Sequence, residues 1–223
     1  MSGMDANLTL AVVGGTGALG SALASRAARH GIPVIIGSRS AERAETFARE
    51  LGEKIGVTNI AGASNRQAAA QGTIVAVTVP FASQLDTLAE IREGVAGKIV
   101  IDATVPLVPP KVARVQLPPE GSAAVRAHAF LGDGAEVISA LHNIAAVELG
   151  GARDPHCDVL VFGDRKDSRE KVVELLSRIG LRSWHGGSLA NSAAAEAMTS
   201  VLIFMNKTYG GHAGVKITFG ADQ

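Results

Sequence analysis

The stretch Val12-Val13-Gly14-Gly15-Thr16-Gly17-Ala18-Leu19-Gly20 decides the fold. Gly15, Gly17 and Gly20 satisfy the pattern G-x-G-x-x-G. The pattern lies between an apolar run that reads as a strand, LTLAVV (8–13), and a segment with Leu19, Leu23 and Ala27 at helical spacing. In such a turn the first glycine permits the tight bend, the second lets a pyrophosphate approach the backbone, and the third allows helix and strand to pack closely. The helix that begins there offers unpaired N–H groups and a partial positive charge to an anion.

Outward from this turn, short β-branched runs recur: PVIIG (33–37), TIVAVTV (73–79), KIVIDA (98–103), EVISAL (136–141) and DVLVFG (158–163). Helical stretches separate them. Ser40 can cap a helix with Ala44, Phe47, Ala48 and Leu51 on one face, another helix is expected around Ser83 to Arg92, and Asp167 with Glu170 reads as a capping-box-like start for Val172 to Ile179. Near-continuous apolar strands alternating with helices predict an α/β fold, a Rossmann-like parallel sheet with helices on both faces. Residues 104–122 hold five prolines and read as an extended excursion. From Ser188 an apolar helix runs to about Lys207, followed by the strand-like VKITF (215–219). We therefore divide the chain into a domain that carries the glycine motif, 1–186, and a small C-terminal lobe, 187–223.

Composition narrows the partners. Among 223 residues, 21 Lys plus Arg balance 21 Asp plus Glu, so no overall field draws the chain onto nucleic acid or an anionic bilayer. Only 4% of residues are aromatic, too few for the stacking platforms that hold single strands. The single cysteine, Cys157, excludes an internal disulfide and fits a reducing compartment. No apolar run reaches the ~20 residues that span a bilayer, and MSGMDAN at the start lacks a leader pattern, so a cytoplasmic protein is expected.

About 20 residues beyond a glycine motif of this kind an acidic side chain ordinarily holds the ribose of NAD. Here the strand ends in Gly37-Ser38-Arg39-Ser40, with Arg43 one turn further on. Ser38 can donate a hydrogen bond to a 2'-phosphate, and two guanidiniums can pair with it, so the cofactor is expected to be NADP(H). Acid–base groups are scarce by contrast. The lone tyrosine, Tyr209, is followed four residues later by Ala213, not lysine, which excludes the Tyr-x-x-x-Lys chemistry of short-chain dehydrogenases. His30, His156 and His185 fall in turn-like contexts, His128 in the irregular excursion, and no pair has metal-ligand spacing, so no metal is expected. His142, at the end of EVISAL, lies on the ligand-binding side of a parallel sheet, and His212 is placed similarly. Asp102 is a possible base, but a turn-forming aspartate is the commoner role there. Such a site suits hydride transfer by positioning between two bound rings, with no dedicated catalytic side chain except, as one candidate, His142.

At this point the chain resembles the NADPH-dependent coenzyme F420 reductases. The likeness runs through GGTGALG (14–20), GSR (37–39), TVPF (78–81), KIVIDATVPL (98–107), SALHNIAA (139–146), GSLANS (187–192) and GHAGVKI (211–217). The resemblance implies that nicotinamide stacks on the deazaflavin of F420, with hydride passing between nicotinamide C4 and deazaflavin C5. It also implies residue roles. Thr16, Gly17, Ala18 and Leu19 would cradle the pyrophosphate, and Ser38, Arg39 and Arg43 the 2'-phosphate. Val79, Pro80, Phe81, Leu85, Leu107 and Ala146 would line the path to the nicotinamide. His142, Asn143 and Ile144 would lie near the deazaflavin together with Gly211 and Ala213, and two copies would form a homodimer. Where the family commonly reads His-Thr-Ile-Pro-Ala, this chain has His142-Asn143-Ile144-Ala145-Ala146. Two alternatives stay open: reduction of another acceptor, such as a flavin, imine or carbonyl compound, and a non-enzymatic NADPH sensor.

Overall fold

Alternate residues of the first strand are buried on opposite faces. Leu10 and Val12 join one apolar cluster, and Ala11 and Val13 the other. Successive side chains of a strand point to opposite sides, so a strand that is apolar throughout needs cover on both. The same partition separates Ile74 and Ala76 from Val75 and Val77. The molecule, a computed structural model that describes residues 8–220, supplies that cover with helices on both faces. The first seven residues, on which the leader expectation rested, lie outside the described residues.

The described residues form one sheet of β1 (Leu10–Val13), β2 (Val34–Ser38), β3 (Ile60–Ser64), β4 (Ile74–Val77), β5 (Ile99–Asp102), β6 (Glu136–Ser139), β7 (Val159–Phe162) and β8 (Ser183–Gly187). Its order is β3-β2-β1-β4-β5-β6-β7-β8. All neighbours are parallel, as the Rossmann-like reading expects, except β6 and β7, which run antiparallel through Ser139 and Phe162. The helices are α1 (Ala18–Arg29), α2 (Ala41–Ile55), α3 (Asn65–Gln71), α4 (Gln84–Ile91), α5 (Ala123–Leu131), α6 (Ala146–Gly150), α7 (Lys166–Arg178) and α8 (Ser192–Tyr209). Side chains of α1, α2, α6 and α7 pack on one face of the sheet, and those of α3, α4 and α5 on the other.

Several local expectations change. Ser40 does cap α2, accepting from the Arg43 N–H. α7, by contrast, begins at Lys166 with Arg165 before it, so Asp167 sits in the first turn, where it complements the helix dipole without capping. β3, β8, α3, α5 and α6 were not anticipated. His128 lies in α5 and His185 in β8, neither in irregular chain. The segment VKITF forms no strand. Residues 104–122 do run without a helix, as the prolines require. No helix among the described residues is long and apolar enough to cross a membrane.

Candidate functional site

The strand order reverses at β1, whose two neighbours, β2 and β4, lead the chain away in opposite directions. In open α/β sheets this switch point leaves a crevice at the carboxyl ends of the strands. The chain leaving β4 is tied to the end of β1: the Thr78 N–H and Oγ1 donate to the Val13 carbonyl at 3.0 and 2.9 Å. The exits of β5 and β6 follow along the same edge, with Ala103 N–H donating to Val77 O and Ala140 N–H to Asp102 O. Tertiary structure thus gathers the loop Gly14–Gly20, Ser38 to Ser40, Thr78 to Phe81, the start of the proline-rich excursion with Leu107, and His142 to Ala146.

The third glycine of the motif packs as its spacing predicts. A Cβ on Gly20 would lie 2.6 Å from Thr78 Oγ1 and 2.7 Å from Gly15 Cα, so α1 packs against the loop only with glycine there. Gly17 is the extended residue before α1, and no side chain caps that helix or places an acid in its first turn. The Gly17 N–H donates to the Gly14 carbonyl at 3.0 Å, so the N–H groups left without a partner among the described residues at this helix start include those of Ala18 and Leu19, where an anion can be held. At the end of β2, Ser38 is buried, whereas Arg39 and Arg43 are exposed and neither enters an ion pair among the described residues. Glu42, beside Arg43 in a surface depression that also includes Ser40 and Thr46, adds a carboxylate to the rim that the sequence reading did not weigh.

Phe81 is anchored by Arg126, whose guanidinium sits 3.8 Å from the ring centroid and donates to the Phe81 carbonyl. Arg126 also holds Gln84 by its Oε1, and Gln84 passes the contact on from Nε2 to the carboxylate of Asp102. Asp102 accepts the Thr104 N–H at 2.8 Å as well, the turn role weighed above. Burial pushes its carboxyl up, opposed by these hydrogen bonds and by the Arg126 charge. Asp102 is fully buried behind Thr104 and acts as a support for the β5 exit.

At the β6 exit Leu141 takes φ +72°, a left-handed conformation that costs a non-glycine residue about 1–3 kcal/mol. Two bonds from α8 hold the strained loop: Thr199 Oγ1 donates to His142 O at 2.9 Å, and Asn143 Nδ2 donates to Ala195 O at 2.8 Å. His142 is buried with both ring nitrogens unpartnered among the described residues. Burial lowers its pKa to about 4, against a smaller opposing effect of the Thr104 backbone, so the ring is neutral near physiological pH. It can exchange a hydrogen bond with a ligand but carries no cationic proton. Ile144 is buried beside it, and Ala146 opens α6. In the turn after α8, Gly211 has φ +83° and Ala213 N–H donates to Asn206 Oδ1, which fixes the turn.

Glu196 was missed because its sequence context is that of an apolar helix. It projects from α8 onto the start of α5, accepting the N–H groups of Ala123 and Ala124 at 2.7 and 3.1 Å. Burial and the Asp102 charge raise its pKa, the hydrogen bonds from those amides and Ser192 lower it, and the balance leaves it at about 7. As pH rises, the unfolded chain loses this proton near the ordinary value of 4.5 and the folded chain only near 7. Folded protein holds the extra proton between them, so stability falls across that window. At roughly 1.4 kcal/mol per pH unit the loss is about 3 kcal/mol. Thermal melts between about pH 5 and pH 8 should therefore show parent protein losing midpoint relative to Glu196→Gln; parallel curves would refute the assignment.

A family model described as NADP oxidoreductase, coenzyme F420-dependent, matches residues 9–106. The F420-dependent NADP reductase of Methanothermobacter thermautotrophicus is 41% identical over 95% of this chain and 95% of its own. That of Methanocaldococcus jannaschii is 34% identical over 95% and 98%. Among solved structures, one from an Arthrobacter species superposes with TM-score 0.79 at 24% identity, covering 94% of this chain and 99% of the other. An imine reductase from Bacillus cereus superposes with TM-score 0.62 at 19% identity over 90% and 62%. At those identities the structural likeness concerns the fold alone. The sequence identity reaches further: from the glycine loop through the turn after α8, the chain belongs to the coenzyme F420-dependent NADP oxidoreductase family.

Proposed function

We propose that this protein is an oxidoreductase that transfers a hydride directly between NADP(H) and coenzyme F420. The observation that carries the reading is the uncapped start of α1 at the switch point, with the unpaired Arg39 and Arg43 at the end of β2. The amides of Ala18 and Leu19, with Thr16 and Gly17 lining the turn before them, take the pyrophosphate, and Ser38, Arg39 and Arg43 take the 2'-phosphate. Val79, Pro80 and Phe81 with Leu85, Leu107 and Ala146 guide the nicotinamide half. His142, Asn143 and Ile144 and the turn at Gly211 to Ala213 receive the acceptor. Bound there, the nicotinamide supplies hydride at C4 and the deazaflavin takes it at C5.

The chain's own contribution is position and dryness. α8 pins the His142–Asn143 loop, Arg126 pins Phe81, and a neutral His142 offers a hydrogen bond without introducing charge. This fits reactions whose barrier is lowered by holding two rings in register. In this reading residues 1–186 bind the nucleotide and 187–223 complete the acceptor side. The chain pairs as a homodimer through the exposed stripe Met198, Val201 and Met205 on α8, with Phe204 and Tyr209 beside it. The free Cys157 is consistent with a reducing, cytoplasmic setting.

The test is to mix purified protein with NADPH and oxidised F420 and follow loss of the deazaflavin absorbance, with FMN and FAD in parallel. Catalytic bleaching of F420, faster than reduction of either flavin, is the expected result. Flavin reduction without F420 turnover would replace the acceptor, and no turnover with any of them would leave a nucleotide-binding protein.

A further inference from the structure

The chain beyond α8 has no regular secondary structure, yet it is held at both ends. At its start Asn206 accepts from Gly210 N–H with its carbonyl at 3.1 Å and from Ala213 N–H with Oδ1 at 2.6 Å. At its far end one carboxylate does the holding. Asp158, 1% exposed just before β7, accepts from Arg182 at 2.5 and 2.8 Å, from Trp184 Nε1 at 2.9 Å and from Ile217 N–H at 2.8 Å. Its own N–H donates to Val215 O at 2.7 Å. Burial alone would push the carboxyl up, but the bonds from Arg182, Ile217 and Trp184 outweigh it and hold it below the usual carboxylate range.

A buried carboxylate with four donors is costly to assemble and costly to break, because each donor left behind loses its partner. What it secures is the tail. Phe219 meets the Trp184 ring edge-on at 5.1 Å. Gly214 lies so close to Cys157 that a Cβ there would come within 2.5 Å of the cysteine Cβ and 3.6 Å of the Asn143 carbonyl oxygen. The tail that Asp158 holds at residues 215 and 217 therefore begins, at Gly214, against Cys157 and close to the Asn143 carbonyl.

We propose that Asp158 is a positioning residue for the electron acceptor: its grip on residues 215–217 sets the width of the slot between the turn after α8 and the His142 loop. The proposal deepens the functional reading above and rests on its placement of the acceptor between those two segments. Asp158 lies outside the nucleotide crevice, so the effect belongs to the acceptor alone.

The experiment uses Asp158→Asn in the full chain, with Arg182→Gln as a milder variant that removes the bidentate partner at the surface. Trp184 is the chain's single tryptophan, so its emission reports the clasp directly. In Asp158→Asn we expect shifted Trp184 emission and faster amide exchange at residues 215–217. We also expect kcat/KM for F420 to fall roughly tenfold, the loss of about one charge-assisted bond, while KM for NADPH stays within about twofold. Arg182→Gln should move the same readouts less. Unchanged emission and exchange would overturn the clasp. Changed emission with unchanged kcat/KM for F420, or equal losses for F420 and NADPH, would overturn the positioning role. If the parent protein itself does not reduce F420, the functional reading falls and takes the acceptor role with it, a result distinguishable because the clasp readouts need no substrate.

Discussion

Arg39→Ala is expected to weaken NADPH binding by roughly ten- to a hundredfold and to leave NADH binding nearly unchanged, from the ~1.5 to 3 kcal/mol of a charge-assisted hydrogen bond. Arg39 follows β2 directly, where the strand ends in the buried Ser38, and Ser40 is already engaged in capping α2. The guanidinium is exposed and meets no carboxylate among the described residues, so removing it breaks no internal contact and leaves stability alone. Any loss in affinity therefore reads out ligand contact. Because the contact is exposed, the gap between NADPH and NADH should narrow with added salt. Titration by calorimetry or by the fluorescence of the reduced nucleotide itself checks it: equal losses for both nucleotides would remove the basis for NADP(H) specificity. Arg43→Ala should act in the same direction, and the double variant should lose less than the sum if both side chains grip one phosphate.

The largest effect on stability is expected at Arg26, which lies in α1 and is 1% exposed. Its guanidinium donates to the carbonyls of Leu149 at 2.6 Å, Ile179 at 3.0 Å, Gly151 at 3.2 Å and Arg153 at 2.6 Å. These carbonyls come from the chain around α6 and from the end of α7, so one side chain sews α1 to two distant segments. Arg26→Ala leaves them without a donor and should cost about 3–5 kcal/mol, the range for breaking a buried ionic cluster. For a chain of this size that corresponds to a fall in Tm of roughly 6–20 °C. Asp154, the one carboxylate Arg26 touches, is itself largely exposed, so Asp154→Ala should cost under about 1 kcal/mol. Arg26→Lys should rescue little, since an ammonium cannot present a planar fork to four carbonyls. Thermal melts of the three variants check the ranking, and a deep loss in Asp154→Ala would show that the ion pair, not the carbonyl cluster, carries the stability.

The elements legible in the sequence share a property: each is decided by its own residues. β1, β2, β4, β5 and β7 are apolar and β-branched, as strands buried on both faces require, and the cap at Ser40 is a local matter. β3 was not legible because α2 lies directly against it. A Cβ on Gly62 would come within 2.2 Å of the Ala44 backbone, so IAGAS is made of small residues and carries little β signal. β8, SWHGG, is an edge strand with the same deficit, and VKITF has strand composition but is drawn instead to Asp158, a carboxylate nearly 60 residues earlier.

The sequence by itself determined the α/β class, the glycine turn at Gly15 to Gly20 and the basic end of β2, because a glycine spacing, an apolar period and a charge are local properties. Only the tertiary structure decided that β7 runs antiparallel to β6, that Leu141 is held in a left-handed conformation by α8, and that Arg26, Asp158 and Glu196 are buried polar anchors. Nothing near these three side chains in sequence marks them. Each draws its meaning from backbone groups that arrive from far along the chain, and a charge becomes structural only when those groups close around it and exclude water.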